Sequence, residues 1–180
     1  MEILVIQLLN SLFYASVLFL IAAGLSLIFG VMNIVNLAHG SFYALGAYMS
    51  AWLVGRAIAS GVGVSAVGLF LLLPLAALGV ALVGGLIEAT LLRRFYRRAE
   101  EYQLLVTFGL LLILEDVVRL VWGGLPLSAD TLMDALPVVR LFGSLYPAYN
   151  LVVIGIGAIA AVGLWLFIYR TRFGVMLRAT

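Results

Sequence analysis

The chain alternates between long runs of apolar residues and short polar breaks. Five apolar runs cover residues 3–30, 41–58, 64–92, 103–122 and 147–169. Each run approaches or exceeds the roughly 20 residues that an α-helix needs to cross a bilayer core about 30 Å thick. The pattern therefore predicts an all-α fold, a transmembrane bundle of about five helices that forms a single membrane domain over residues 1–180.

The boundary between the first two runs lies in a long region without formal charge. No Asp, Glu, Lys or Arg occurs between Glu2 and Arg56. A single helix over that region would be about 80 Å long at 1.5 Å per residue, so the chain must break or turn back within it. We therefore expect a broken or re-entrant segment near residues 30–41. Its polar side chains are Asn33, Asn36, His39 and Ser41.

The composition excludes several classes of protein. The chain is 66% hydrophobic and 10% charged, with a mean hydropathy of +1.25, which lies far outside the usage of soluble domains. It contains no lysine, so the lysine of a nucleotide-binding P-loop is absent, and no cysteine, so disulfide and thiol chemistry are absent. A single histidine excludes metal motifs built on a histidine pair. We expect no enzyme activity, no cofactor and no nucleic-acid partner.

The arginines predict the orientation of the helices. Five crossings place seven of the ten arginines on one side, at Arg93, Arg94, Arg97, Arg98, Arg170, Arg172 and Arg178. The other three lie on or near the opposite side, at Arg56, Arg119 and Arg140. Basic residues near span ends are enriched in the cytoplasm, so the N-terminus is predicted outside and Thr180 inside. Residues 123–146, with two prolines and two aspartates, are predicted to form an external loop.

Two groups of polar residues lie close to the predicted helices and have more than one interpretation. On a helix, Asn33, Asn36 and His39 would share about a third of the circumference and line a translocation pathway or hinge, to which Ser41 of the same segment is also assigned. In a surface turn, the asparagines would instead cap helix ends, with His39 among the lipid headgroups, and spacing alone favours this turn.

The second group is Glu115, Asp116 and Arg119, near the end of the fourth run. Glu115 and Arg119 are four residues apart in the order that favours an ion pair on a helix. Charged residues within a membrane are candidates for function, yet Trp122 follows closely, and an interfacial pair explains them equally well.

Four stretches resemble the permeases of branched-chain amino acid ABC transporters. They are GLSLIFGVMNIVNLAHGSFYALGAYMSA at 24–51, E-x-x-x-L-R-R at 88–94, YQLLVTFGLLLILEDVVRLVWG at 102–123 and RTRFGVMLRAT at 170–180. The first and last are the most specific. The Ala-His-Gly form of the first resembles one of the two paired permease subunits of such systems. Permeases for urea and short-chain amides share this signature, which therefore indicates the superfamily more strongly than the substrate.

The resemblance implies a multi-pass permease subunit in a bacterial inner membrane, where the orientation predicted from the arginines makes the N-terminus periplasmic and residue 180 cytoplasmic. The implied substrates are leucine, isoleucine and valine. The implied partners are a sister permease subunit, two cytoplasmic ATPase subunits, a periplasmic substrate-binding protein and the lipid bilayer. ATP hydrolysis is then expected on the separate ATPase subunits.

The resemblance also assigns a role to the end of the sequence. Arg172, Phe173, Gly174 and Arg178 match the entry to the region that couples the permease to its ATPase. Family members continue beyond this point, so the chain is expected to be the N-terminal portion of a longer permease or a truncated form.

Three alternatives to the branched-chain amino acid permease stay open. The first is an ABC permease for urea or a short-chain amide. The second is an ion-coupled carrier or channel, which needs buried ionisable residues as couplers, and the first three apolar runs largely lack them. The third is a structural or assembly protein of the membrane.

Overall fold

The computed structural model describes residues 2–32, 36–61, 65–127, 130–141, 143–171 and 174. Its α-helices are α1 (Glu2–Met32), α2 (His39–Ala59), α3 (Ala66–Thr90), α4 (Glu100–Trp122), α5 (Asp130–Asp134) and α6 (Ala148–Arg170). A short 3₁₀ helix, Leu92–Arg94, follows α3, and the strands are β1 (Val138–Leu141) and β2 (Ser144–Pro147). Each predicted apolar run coincides with a helix whose bounds lie within three residues of the prediction.

The break between the first two helices is confirmed. The first helix, α1, ends at Met32, and α2 begins at His39, so no single helix covers the uncharged region. The predicted external loop over residues 123–146 is not irregular throughout. It contains α5 and most of a hairpin that pairs β1 with β2 in antiparallel fashion, with Val138 opposite Pro147 and Leu141 opposite Ser144.

Within the described residues, three helices are long and apolar enough to cross a membrane: Glu2–Gly30, Ala66–Arg94 and Ala148–Arg170. The other two long helices, α2 with 21 residues and α4 with 23, reach about 31 and 34 Å at 1.5 Å per residue. They are less apolar because α2 contains Arg56 and several tyrosine and serine residues, and α4 carries three charged residues in its second half. The fold is that of an all-α polytopic membrane protein.

The chain forms two compact units, of which the first comprises Met1–Asn33 and Leu136–Thr180. In this unit α1 and α6 run parallel, because Glu2 lies against Gly143, just before α6, and Ser16 lies against Gly157 in the middle of α6. A Cβ atom on Gly157 would lie 2.7 Å from Ser16 Cβ, so the glycine allows this close approach of the two backbones.

The second unit, Ile34–Ala135, contains α2, α3 and α4. Here α3 is antiparallel to α2, since Gly84 lies opposite Phe42 and Gly79 opposite Met49. Helices α2 and α4 run parallel. The first turn of α2 packs against the middle of α4, and the ring of Tyr48 lies 6.0 Å from that of Trp122 at the end of α4. The buried core is formed by Ala38, Leu110 and Leu114, with Phe42, Ile87, Leu92 and Leu111 packed around it.

One side of α3 is apolar and exposed along most of its length. Its residues are 54–75% exposed and recur every three or four positions, at Leu71, Leu75, Leu78, Leu82 and Leu86. A continuous leucine surface on a helix of this hydropathy is typical of contact with lipid chains or another membrane helix.

Candidate functional site: a cleft between α2 and α4

A cleft of about 470 Å³ lies between α2 and α4. It opens where the first three turns of α2 face the second half of α4, and small residues on α2 leave the space unfilled. The lining residues are Gly40, Ser41, Ala44 and Tyr48 of α2, and Leu111, Leu114, Glu115, Val118 and Arg119 of α4. The cleft thus brings together residues from both of the polar groups that the sequence singled out.

The charged wall of the cleft is an ion pair within α4. Arg119 Nη2 donates a hydrogen bond to Glu115 Oε1 across one helical turn. The two side chains are 48% (Glu115) and 64% (Arg119) exposed, so the other described residues leave both of them largely uncovered. Both charged groups are therefore open to a ligand. Asp116 is exposed on α4, but it is not among the residues that line the cleft.

The apolar wall of the cleft is a stripe on the same helix. Leu111, Leu114 and Val118 recur with the spacing of one helix face, directly beside the charged pair. A site that combines apolar side chains with a few polar groups fits a small ligand that is partly aliphatic. One anionic and one cationic side chain next to each other further match the two charges of a zwitterion.

The polar residues before the cleft form the start of α2. Asn36 is only 8% exposed; its Oδ1 accepts a hydrogen bond from the backbone N–H of Ala38 (3.0 Å), and its backbone oxygen accepts one from His39 N–H (3.2 Å). This is the geometry of a side-chain-stabilised turn before α2, and the side chain of Asn36 is buried within the protein. His39 is half-buried in the first turn of α2, and Ser41 reaches the cleft. Asn33 lies outside the described residues.

Three of the four residues predicted at the entry to the coupling region lie outside the described residues: Arg172, Phe173 and Arg178. Gly174 is described: its backbone N–H donates a hydrogen bond to Thr171 Oγ1 (3.2 Å), just beyond the end of α6.

Sequence reasoning missed a polar cluster at the end of α3. Arg93 donates to both carboxylate oxygens of Glu88, from Nε (3.2 Å) and Nη2 (3.1 Å), and Tyr96 Oη donates to Glu88 Oε1 (2.9 Å). Burial, reinforced by the hydrogen bond to Glu88, raises the pKa of Tyr96 to about 12. The cluster holds the loop against α3 while its other arginines stay exposed. The E-x-x-x-L-R-R pattern contains two of these residues, but its spacing does not reveal a pair that forms beyond a helix end.

Tyr48 was also missed. It is an aromatic residue in an apolar run, and only the packing of α2 beside α4 places it in the cleft. In the part of the chain that the structure describes, no group of three or more histidine, aspartate or glutamate side chains is arranged to hold a metal ion.

The long apolar helices and the exposed leucine surface define this chain as a multi-pass helical membrane protein. Its family follows from sequence comparison: the family described as branched-chain amino acid transport system / permease component matches residues 7–180, and the chain belongs to it. The expected resemblance is therefore confirmed. A permease component is a transport protein, and the expectation that the chain is not an enzyme is confirmed by this membership.

Several curated relatives are similar over nearly the whole chain. One is the high-affinity branched-chain amino acid transport system permease protein LivH of Salmonella typhimurium, 23% identical over 180 residues. Another is the corresponding permease protein BraD of Pseudomonas aeruginosa, 26% identical over 185 residues. Each alignment covers 96% of this chain and 57% of the relative, so the chain spans little more than half the length of these proteins. No solved structure matches the chain significantly.

Proposed function

We propose that this chain is a membrane-spanning permease subunit of an ABC importer for branched-chain amino acids, and that the cleft between α2 and α4 forms part of the translocation pathway. The observation that carries the proposal is the composition of that cleft in a chain of this family. Ser41, from the polar segment between the first two helices, and the Glu115–Arg119 pair line the same space. Asn36 and His39 lie at the start of α2, just before the cleft residues Gly40 and Ser41, and are proposed as hinge residues together with Asn33.

The proposed membrane arrangement has five crossings, by α1, α2, α3, α4 and α6. Alternating crossings require the first and fifth to run in the same direction, the second and fourth in the same direction, and the third opposite to the second. Within each unit the helices have these directions, since α1 and α6 are parallel, α2 and α4 are parallel, and α3 is antiparallel to α2. Together with the arginine distribution, this supports a periplasmic N-terminus and a cytoplasmic residue 180 in the inner membrane.

The chemistry of the cleft favours an aliphatic amino acid as the substrate. Glu115 is suited to the substrate ammonium group and Arg119 to its carboxylate, because both interactions are charge-assisted hydrogen bonds. The stripe of leucine and valine on α4 then lies beside the side chain of the substrate. Urea is uncharged and has no aliphatic side chain, so the lining of the cleft suits urea less well. The names of the curated relatives point to the same substrate class.

The remaining parts of the proposed transporter are separate chains. A sister permease subunit completes the pathway, a periplasmic binding protein delivers the substrate, and two cytoplasmic ATPase subunits supply the energy. The absence of lysine supports this division, because this sequence lacks the lysine that grips phosphate in a P-loop. Contact with the ATPase is proposed for the segment that contains Arg172, Phe173, Gly174 and Arg178.

The cleft is tested by neutralising its charged residues one at a time. Uptake of labelled leucine is measured in cells that carry Glu115→Gln or Arg119→Gln in the complete transport system. Loss of a charge-assisted hydrogen bond costs about 1.5–3 kcal/mol, so we expect the apparent affinity for leucine to fall about tenfold or more. The matched control is Glu101→Gln, an exposed carboxylate in the first turn of α4 and outside the cleft.

The outcomes separate the proposals. Equal leucine uptake by all three variants and the parent protein would remove the cleft from the pathway. Uptake of labelled urea, but not leucine, by the parent protein would replace the proposed substrate with the alternative one.

A further inference from the structure

The first helix carries polar side chains on a face that the rest of the chain leaves uncovered. Gln7, Asn10 and Tyr14 are spaced three and four residues apart, so they lie within about 60° of the helix circumference. All three are exposed, Tyr14 by 66%. The amide groups of Gln7 and Asn10 make no hydrogen bond within the described part of the chain. We call these three residues the polar stripe of α1.

The polar stripe extends into the depth of a bilayer. The helix contains 31 residues and is about 46 Å long, whereas the apolar core of a membrane takes up about 20 residues of a helix. If that core is centred on α1, it begins near Gln7. Asn10 and Tyr14 then lie about 5 and 10 Å inside it at 1.5 Å per residue. An amide at that depth without a partner is costly in hydrocarbon, so the stripe must face protein or water.

The exposed face of α3 shows how this chain builds a surface that tolerates hydrocarbon. Five leucines form that face, and no amide or hydroxyl group interrupts it. The polar stripe of α1 differs in composition although both helices are long and apolar enough to span a membrane. This contrast indicates that the two faces have different surroundings.

A cavity beside the polar stripe indicates what those surroundings are. A space of about 320 Å³ is lined by Ile3, Ile6, Gln7, Asn10 and Ser144. Ser144 lies in the hairpin, where the neighbouring residue Gly143 is next to the Glu2 carboxylate at the start of α1. This space is open on one side and large enough for several water molecules, and three of its lining side chains can hydrogen-bond to them.

We propose that the polar stripe of α1 and the cavity under the hairpin form the water-filled outer entrance for a small zwitterionic amino acid. The identity of the solute rests on the proposed function, whereas the access of water does not. In this entrance the amides of Gln7 and Asn10 and the hydroxyl of Ser144 hydrogen-bond to the charged groups of the amino acid. Ile3 and Ile6 contact its aliphatic part.

The absence of cysteine from the chain makes the entrance directly testable. Single variants Gln7→Cys, Asn10→Cys and Tyr14→Cys are expressed with the complete transport system and treated in intact cells with a maleimide that does not cross membranes. The control is Leu8→Cys, which has nearly the same depth and is 69% exposed, but lies about 100° around the helix. A thiol in hydrocarbon stays protonated and unreactive, so we expect the stripe variants to react at least about tenfold faster than the control.

A second measurement tests the solute. Excess leucine is added during labelling of Tyr14→Cys, which keeps the amides of Gln7 and Asn10, and leucine uptake by the cysteine-free parent is measured in parallel cultures. We expect leucine to slow the labelling at least about threefold at concentrations that saturate transport, because a bound solute excludes the reagent from the thiolate.

Each result decides part of the proposal. Stripe variants that react no faster than Leu8→Cys would show that lipid or another protein covers the stripe, and the entrance would be refuted. Fast labelling that leucine does not slow, in cells that take up leucine through this protein, would refute the assignment of the solute path while the proposed function stands. Absence of leucine uptake by the parent protein would refute the proposed function, and the labelling rates would still decide whether water reaches the stripe.

Discussion

The contact between Ser16 and Gly157 makes the pairing of α1 with α6 sensitive to a single methyl group. In Gly157→Ala the new Cβ would lie 2.7 Å from Ser16 Cβ, 2.9 Å from its Oγ and 3.3 Å from its Cα. Carbon atoms in contact prefer about 3.5–4.0 Å. A rotation of the serine side chain moves only Oγ, so the two backbones must separate by about 1 Å.

The cost of that separation follows from the packing. Overfilling a close contact typically costs about 1–3 kcal/mol, and a gap of about 0.5–1 Å along the rest of the interface loses a quarter to a half of the dispersion energy there. Gly155→Ala is the matched control, because a Cβ on Gly155 meets no atom within 4 Å. That change is expected to be neutral or to stabilise the helix by up to about 1 kcal/mol.

Unfolding of the purified protein in detergent, titrated with a denaturing detergent and followed by tryptophan fluorescence, measures the difference. We expect Gly157→Ala to unfold earlier than the parent and Gly155→Ala no earlier. Adding Ser16→Gly to Gly157→Ala removes Cβ and Oγ, two of the three crowding atoms, and should restore most of the lost stability. The hydroxyl of Ser16 donates a hydrogen bond to Leu12 O of its own helix (2.8 Å), and among the described residues its removal breaks no bond between helices. Equal stability of the two alanine variants would refute the close packing of α1 and α6.

Three further predictions concern other parts of the chain. Reporter fusions at Arg97 and at Asp130 should indicate opposite sides of the membrane, with Arg97 cytoplasmic; the same side for both contradicts the five crossings. Asn36→Leu leaves the buried N–H of Ala38 without its acceptor in the turn before α2, which costs about 1–3 kcal/mol, and should reduce leucine uptake more than Ser50→Ala; Asn36→Asp keeps the acceptor and should retain more activity than Asn36→Leu. The folded-state pKa of Tyr96 is raised to about 12, so the neutral Tyr96 side chain contributes to stability below about pH 10, and this contribution is lost between about pH 10 and 12. The ionisation of Tyr96 is measured as the difference between the absorbance spectra of the parent protein and Tyr96→Phe, and ionisation near pH 10 in the folded protein would contradict this.

The long helices were predictable because a membrane imposes a strong sequence requirement. About 20 consecutive apolar residues are needed for each crossing, and the polar segment before α2 was the only place for the first break. The hairpin was not predictable in the same way. Its strands have four residues each, and Gly143 between them has a positive φ (+88°) and lies beside Glu2, which is distant in sequence.

The site was only partly visible in the sequence. The spacing of Glu115 and Arg119 indicated that the two side chains meet on one helix face, and the structure pairs them. Their location beside Ser41 depends on the parallel packing of α2 and α4, which no local pattern encodes. For the same reason Tyr48 was missed, since an aromatic residue in an apolar run is indistinguishable from one that contacts lipid.

In the proposed function, this chain forms part of the pathway of an importer whose energy comes from ATP on other subunits. The most direct measurement is uptake of labelled leucine by vesicles that contain the binding protein, both permease subunits and the ATPase subunits, with this chain either present or omitted. We predict accumulation that requires both ATP and this chain and that does not respond to a proton or sodium gradient alone. Accumulation driven by such a gradient without ATPase subunits, or ATP-driven accumulation that persists without this chain, would contradict the claim.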